Sequence, residues 1–471
     1  MCGVIGLCGP DIAWEAYRAL IAIQHRGQNS AGILTKNEKF YRKQGDGLVS
    51  EVFQSFPLED LEGNLGIGHV RYPTAGMDPS AETQPLFTSY PYGLGLAHNG
   101  NLTNCQELKC YLHNKHRLLQ TDSDTEILLN VLAEKLSKLE VEDAIGETMD
   151  TVQGSYSATM LLGKEGGQVL AIRDPHGIRP LVLGKKETET GPTYMVCSES
   201  VGLDVTGYEL VRDIAPGEMV SLCDNGITSR QLRPAQPSHC IFEYVYFSRP
   251  DSVIEGRSVY DVRFKLGTNL AFDHEVDTVI PVPDTARTAA LGFALENGIA
   301  YREGLIKNRY IGRTFIMPTQ RFRESAIVEK LNVIRREIEG KRIALVDDSI
   351  VRGTTSRRIV GLLRRYGAKE VHFVSSCPPI THPCFYGIDM TIKDELIASC
   401  GTEGIEKKIG ADSVTYQSID GLVKAIGIPR SQLCLACLTG EYPTCITCER
   451  AEMLGKCREN ERNQWKDTKR L

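Results

Sequence analysis

The chain has 471 residues, with 54 Lys and Arg against 60 Asp and Glu and a formal net charge of −6. That length exceeds one ordinary hydrophobic core, so two or three domains are expected. The acidic balance gives no general attraction to nucleic acid or to an anionic membrane, and no apolar run approaches the roughly 18 residues of a membrane helix. No targeting signal is read before Cys2, and the 15 cysteines, bunched only near the C-terminus, lack the density of a small disulfide scaffold. A cytoplasmic enzyme with reactive or metal-bound thiols is expected.

The sequence begins Met1-Cys2-Gly3-Val4-Ile5-Gly6. Trimming of Met1, which a small second residue allows, would make Cys2 the amino terminus. An α-amine of pKa about 7.7–8.0 would then sit beside a thiol of about 8.5, so the residue carries its own general base. Taken alone, Cys2 reads more simply as a small apolar residue opening a buried strand.

Residues 1 to about 230 read as short apolar strands, such as 4–7 and 169–172, divided by glycine-rich turns. Residues 14–23 have apolar side chains at helical spacing. The best helix spans 123–139: Ser123 and Glu126 form a capping box, and Ile127, Leu128, Val131, Leu132 and Leu136 make one apolar face. Three polar clusters interrupt these elements: 24–30 (Gln-His-Arg-Gly-Gln-Asn-Ser), 68–74 (Gly-His-Val-Arg-Tyr-Pro-Thr) and 97–102 (Ala-His-Asn-Gly-Asn-Leu). Each alone is an ordinary turn. Together with Cys2 they supply what amide hydrolysis requires: an arginine to grip a carboxylate, an asparagine amide and a glycine N–H for an oxyanion, and an acid for an ammonium group.

Cys2-Gly3-Val4-Ile5-Gly6, the turn from His25 to Gln28, His69-Val70-Arg71-Tyr72 and His98-Asn99-Gly100-Asn101 resemble the class II glutamine amidotransferases, which have the N-terminal-nucleophile fold. The resemblance implies an α+β, four-layered αββα domain over residues 1–232. It implies Cys2 as nucleophile with its free amine as proton shuttle, and Asn99 and Gly100 as oxyanion hole. Arg71 would bind the α-carboxylate of glutamine, Asp124 its α-ammonium, and Arg26 would support the glutamine site.

In the second half, residues 341–346 read as a buried strand after a basic cap. They run into Asp347-Asp348-Ser349-Ile350-Val351-Arg352-Gly353-Thr354-Thr355. Residues 356–366 have helical periodicity with Gly367 as C-cap, and 370–375 form the next strand. A strand, a hydroxyl-bearing loop and a helix N-terminus make an anion site, while paired carboxylates suit a ribose diol or Mg²⁺. The loop lacks the Gly-Lys-Ser/Thr of a Walker A motif. It resembles the signature of type I phosphoribosyltransferases, α/β enzymes that bind phosphoribosyl pyrophosphate (PRPP). That likeness implies that Asp347 and Asp348 bind ribose or Mg²⁺, that Arg352, Gly353, Thr354 and Thr355 cradle the 5-phosphate, and that Thr285 lies on the metal side. Lys307 opens the basic segment 307–315, followed by Arg321 and Arg323, which in that family is a loop closing over PRPP.

Near the end, Cys434 and Cys437 form one CxxC pair and Cys445 and Cys448 another, with Cys457 beyond. Seven residues between the pairs are fewer than the roughly 15–20 of a zinc ribbon, so zinc and an iron–sulfur cluster both stay open on spacing. Taken as a whole, the chain resembles the PRPP amidotransferases. One branch of that family carries a 4Fe–4S cluster on widely separated cysteines, and Cys240, Cys384, Cys434 and Cys437 match its positions. Cys445 and Cys448 fall outside that pattern, as spare thiols or as part of a zinc site completed by other residues.

The resemblance implies a phosphoribosyltransferase domain over 233–471 and a reaction of glutamine, PRPP and water giving 5-phosphoribosylamine, glutamate and pyrophosphate. It also implies one Mg²⁺ and one cluster per subunit, inhibition by purine nucleotides, and a homo-oligomer, a tetramer. Other class II enzymes fit less well: a glucosamine-phosphate synthase would carry sugar-isomerase domains, and an asparagine synthetase a Ser-Gly-Gly-x-Asp loop. A PRPP-binding regulator with a relict glutaminase domain would have lost some of Cys2, Arg71, Asn99 and Asp124, and all four are present.

Overall fold

Period-two alternation of apolar side chains builds two antiparallel sheets from the first half of the chain. The computed structural model describes residues 2–72, 82–189, 191–223, 226–308, 331–390, 395–444, 446 and 450–456. Met1, Pro73, Thr74, the basic segment from Arg309 through Arg323, Cys445, Cys448 and Cys457 lie outside the described residues.

The first sheet has seven strands in the order Glu209–Asp213, Val182–Thr188, Gly191–Cys197, Gly3–Cys8, Leu65–Arg71, Ser30–Lys36, Phe40–Asp46. The second has six, in the order Gly226–Gln231, Glu218–Cys223, Gln168–Arg173, Gly154–Leu162, Leu94–Leu102, Leu86–Thr88. Gly3–Cys8 is central, and all six of its residues are buried. Its even side chains, Val4 and Cys8, pack with Ala97, Val169 and Val196 between the sheets. Its odd ones, Ile5 and Leu7, pack with Ile12, Ala16, Leu20 and Val201 under the helices Ile12–Ala22 and Ser200–Thr206.

Helices Cys105–Asn114, Asp124–Leu136 and Val141–Thr151 cover the far side of the second sheet. The layering is therefore αββα, as the resemblance implies. Ile127, Leu128, Val131, Leu132 and Leu136 form the buried face read from their spacing. The capping box does not form. Ser123 Oγ accepts from the N–H of Thr125 at 3.3 Å, but the Glu126 carboxylate reaches back past Ser123 to the N–H groups of Gln120 and Thr121 at 2.8 and 2.7 Å. The last strand of this domain ends at Gln231, while the segment after it stays attached: Gln236 and Ser238 donate to the carbonyls of Pro175 and His176.

The second domain centres on a four-stranded parallel sheet in the order Thr278–Pro281, Arg342–Asp347, Glu370–Ser375, Ser413–Tyr416. Helix Thr354–Arg365 returns between its second and third strands, starting two residues earlier than periodicity indicates because Gly353 (φ +72°) serves as its N-cap. Gly367 (φ +86°) terminates it as expected. Ile359, Val360 and Leu363 bury the helix against Ile343, Leu345 and Phe373.

Ion pairs buried from water join the domains. Arg26 pairs with Glu199 of its own domain and, through Nη1 and Nη2 at 3.0 and 2.8 Å, with Glu243 of the second. Glu199 also accepts from the N–H of Arg249 at 2.9 Å and Ser252 Oγ at 2.8 Å. Burial alone would raise both carboxyls, but His25 and Arg26 hold Glu199, and Arg26 and Arg179 hold Glu243, below the ordinary range. Folded values below the unfolded one of about 4.3 mean that the stabilisation is complete above that pH and is lost as pH falls through the folded values. The urea midpoint should therefore be level between about pH 7 and pH 5 and decline below about pH 4. A midpoint that stays level down to about pH 3 would contradict this interface.

Candidate functional site

Cys2 begins the central strand of the first sheet, and Asn99 and Gly100 lie on Leu94–Leu102 of the second. The α-nitrogen of Cys2 donates to Asn99 Oδ1 at 3.1 Å, and Cys2 Sγ lies 3.7 Å from the carbonyl of Tyr72. Asn99 is fully buried, and among the described residues its Nδ2 has no hydrogen-bond partner. An unpaired buried amide donor costs about 1–3 kcal/mol, so an incoming acceptor beside Cys2 would be stabilised there. Gly100 has no room for a side chain: a Cβ would stand 2.0 Å from the Ser155 carbonyl oxygen.

Cys2, Arg71, Gly100 and Asp124 line one cavity of about 360 Å³. Arg71 ends its strand and pairs with Glu82, both buried. Asp124 opens its helix, and its Oδ2 accepts from the N–H of Leu102 at 3.1 Å. The predicted set thus converges, with Asn99 buried against Cys2 and Arg26 behind the cavity rather than in its wall. Arg26 Nε donates to the Cys2 carbonyl at 2.9 Å. Burial would lower its proton affinity, but Glu243 and Glu199 more than offset this and keep the guanidinium charged.

Glu82, Arg450, Met453 and Leu454 also line the cavity and were not expected from the sequence. Arg450 Nη2 donates to the Thr103 carbonyl at 3.2 Å, which brings the end of the second domain onto the first. Of the cluster histidines, His98 lines the cavity, whereas His69 is structural. His69 is fully buried, desolvation pushes it down to about 3, and it stays neutral with Nε2 on the His98 carbonyl at 3.2 Å.

A second site lies at the carboxyl edge of the parallel sheet, where α/β folds of this kind bind ligands. Asp347 ends its strand with Oδ1 accepting from the Asp348 N–H at 2.9 Å. Burial, and then the neighbouring Asp348 charge, raises Asp347 well above the carboxylate range. Burial also pushes Asp348 up to about 6, opposed by Ser349 and Arg263. Two adjacent carboxyls, Asp347 buried and Asp348 partly so, form an oxygen donor set suited to Mg²⁺.

Gly353, Thr354 and Thr355 form the following helix start, and a Cβ at Gly353 would stand 2.2 Å from Ile397 Cδ1. Thr285 sits in the loop after the adjacent strand Thr278–Pro281. Lys307 Nζ reaches that loop through Asp284 Oδ2 at 3.0 Å. Arg352 points elsewhere: its Nε donates to Glu395 Oε2 at 2.6 Å.

Cys240, Cys384, Cys434 and Cys437 meet in one buried apolar core of the second domain, which Ile178 of the first also joins. Cys240 and Cys434 are register partners in a short parallel ladder, and the Cys437 carbonyl accepts from the N–H groups of Thr381 and His382. Burial pushes the Cys240 thiol up to about 11 and raises Cys434 and Cys437 further, and nearby cysteines add to the effect for each. Arg179 Nη1 donates to Cys240 Sγ at 3.4 Å, and the Tyr386 N–H to Cys384 Sγ at 3.4 Å. Among the described residues no three such side chains are spaced for a single ion. A four-iron cluster is wider than one ion. Four soft sulfurs in a dry core, with N–H donors aimed at two of them, fit its chemistry.

A sequence model of the glutamine amidotransferase domain matches residues 69–204. The amidophosphoribosyltransferase of Pseudomonas aeruginosa is 46% identical over 94% of this chain and 93% of its own length. That of Bacillus subtilis is 46% identical over 94% of each. The solved structure of the B. subtilis glutamine PRPP amidotransferase complexed with ADP and GMP matches with a TM-score of 0.87 and 43% identity, covering 95% of this chain and 98% of that one. A second structure, described as the allosteric regulatory enzyme of purine biosynthesis, matches with a TM-score of 0.88 and 43% identity over 95% and 97%. At this identity over nearly its whole length, the chain belongs to the amidophosphoribosyltransferase family.

Proposed function

We propose that the chain hydrolyses glutamine at Cys2 and delivers the ammonia to PRPP, giving 5-phosphoribosylamine, glutamate and pyrophosphate, the committed entry to purine synthesis. The observation that carries the first half is the Cys2 amine on Asn99 Oδ1 beside an unpaired Asn99 Nδ2. With Met1 removed, that amine takes the thiol proton as Sγ attacks the glutamine side-chain amide, then passes it to the departing ammonia. Asn99 Nδ2 and the Gly100 N–H receive the oxyanion. Water then hydrolyses the thioester to glutamate. Arg71 binds the substrate α-carboxylate in exchange for Glu82, and Asp124 its α-ammonium.

At the second site Asp347 and Asp348 hold the ribosyl group as it gains oxocarbenium character. The helix start at Gly353, Thr354 and Thr355 cradles the 5-phosphate, assisted by Arg352 on release from Glu395, and Lys307 faces the pyrophosphate. Asp347, Asp348 and Thr285 would hold Mg²⁺, which when bound neutralises charge on the leaving pyrophosphate. Cys240, Cys384, Cys434 and Cys437 would hold a 4Fe–4S cluster. Among the described residues no helix is long and apolar enough to cross a membrane, and a cytoplasmic enzyme is the reading we adopt. The ADP and GMP in the B. subtilis structure support purine nucleotides as inhibitors here, acting on a homo-oligomer, a tetramer.

Replacing Cys2 with alanine should abolish glutamine-dependent turnover while ammonia-dependent synthesis from PRPP continues, as read by separate glutamate and pyrophosphate assays. Loss of both in a folded variant would refute the division of labour. Asp347→Asn with Asp348→Asn should instead remove both PRPP-dependent activities by about 10²-fold or more and spare basal glutaminase. Anaerobic analysis of iron, sulfide and zinc should return about four irons per chain without zinc. One zinc and no iron would overturn the cluster.

A further inference from the structure

The buried charges behind Cys2 go beyond what glutamine binding requires. Arg26 offers five N–H donors. Among the described residues Nε is engaged by the Cys2 carbonyl, Nη1 by Glu199 and Glu243, and Nη2 by Glu243 alone. Glu243 belongs to the other domain, in the π-helical turn Glu243–Phe247, and is buried with 1% exposure. Its remaining contacts are Ser248 Oγ at 2.7 Å and Arg179 Nη1 at 3.4 Å.

We infer that Glu243 is a positioning residue for the glutaminase reaction, fixing the nucleophile of one domain from the other through its two bonds to Arg26. Without Met1, Cys2 has no preceding peptide, so its orientation depends on the strand behind it, on Asn99, and on whatever holds its carbonyl. Arg26 Nε is that hold. The guanidinium is planar, so the direction of Nε is set by what the two Nη atoms face. Glu243 takes both.

If Glu243 loses its charge, Glu199 becomes the sole carboxylate on Arg26. Glu199 already serves His25, the Arg249 N–H and Ser252. The guanidinium then rotates toward Glu199, Nε leaves the Cys2 carbonyl, and the amine shifts on Asn99 Oδ1. A displacement of about 1 Å at a reacting group costs roughly a hundredfold in rate. The inference rests on Cys2 as the nucleophile.

The test is Glu243→Gln in the full-length protein, assayed with glutamine and with ammonia at saturating PRPP. We expect the glutamine-dependent kcat to fall about a hundredfold with the glutamine KM within about threefold, while the ammonia-dependent rate stays within about twofold. Glu243→Asp, which keeps the charge, should recover part of the loss. Should Glu243→Gln fail to fold, Ser248→Ala removes the hydroxyl that fixes Glu243 Oε2, keeps every charge, and should lower the glutamine-dependent kcat with the ammonia-dependent rate unchanged. A folded variant that uses glutamine at the parent rate, or that loses both activities in parallel, overturns the inference. Failure of the nucleophile assignment is distinguishable, because glutamine turnover would then survive Cys2→Ala.

Discussion

One buried guanidinium organises much of this protein. Arg26 carries its charge where water does not reach, so it persists only with anionic partners. One of them, Glu199, comes from the amidotransferase domain and the other, Glu243, from the phosphoribosyltransferase domain. Removing either would leave the guanidinium with a single carboxylate and weaken the pairing of a buried charge. The domains are therefore joined at the point where the proposed nucleophile is held, and a disturbance of their docking is felt at Cys2.

The same junction brings the cysteine core against the strand of Asn99 and Gly100. The carbonyls of Phe385 and Tyr386, one and two residues after Cys384, accept from Asn101 Nδ2 and Ser155 Oγ, both at 3.0 Å. Gly387 (φ +101°) lets the chain pass so closely that a Cβ there would stand 3.0 Å from the Gly100 carbonyl oxygen. Any group that orders the four thiols also orders this turn, which gives the cysteines a structural consequence for the amidotransferase half apart from any redox chemistry. Arg179 spans both, with contacts to Cys240, Glu243 and the Tyr386 carbonyl.

Sequence reading brings residues together here where they belong to a local pattern. Cys2, Arg71, Asn99, Gly100 and Asp124 each sit in a short segment on a strand or at a helix start, and all converge. The strand, acidic pair and glycine-hydroxyl loop at 342–355 are likewise contiguous. What sequence does not convey is long-range placement. Glu82 belongs to none of the motifs, yet it is the buried partner of Arg71. Arg450 reaches the glutamine cavity across 347 residues of chain. Arg26 reads as a glutamine-site residue because its turn matches the motif, and only the tertiary structure shows it gripping the backbone of Cys2 from behind. The capping box fails for a related reason: Glu126 finds better donors in the loop before its helix than at Ser123.

The central claim is that Cys2, freed of Met1 and carrying its own base, is the thiol that attacks glutamine. Its most direct test is covalent trapping with an electrophilic ketone analogue of glutamine, followed by intact-mass measurement and peptide mapping. The account predicts a single adduct, on Cys2, in chains that lack Met1, with added glutamine protecting. An adduct on any other cysteine, or equal labelling of chains that retain Met1, would contradict it.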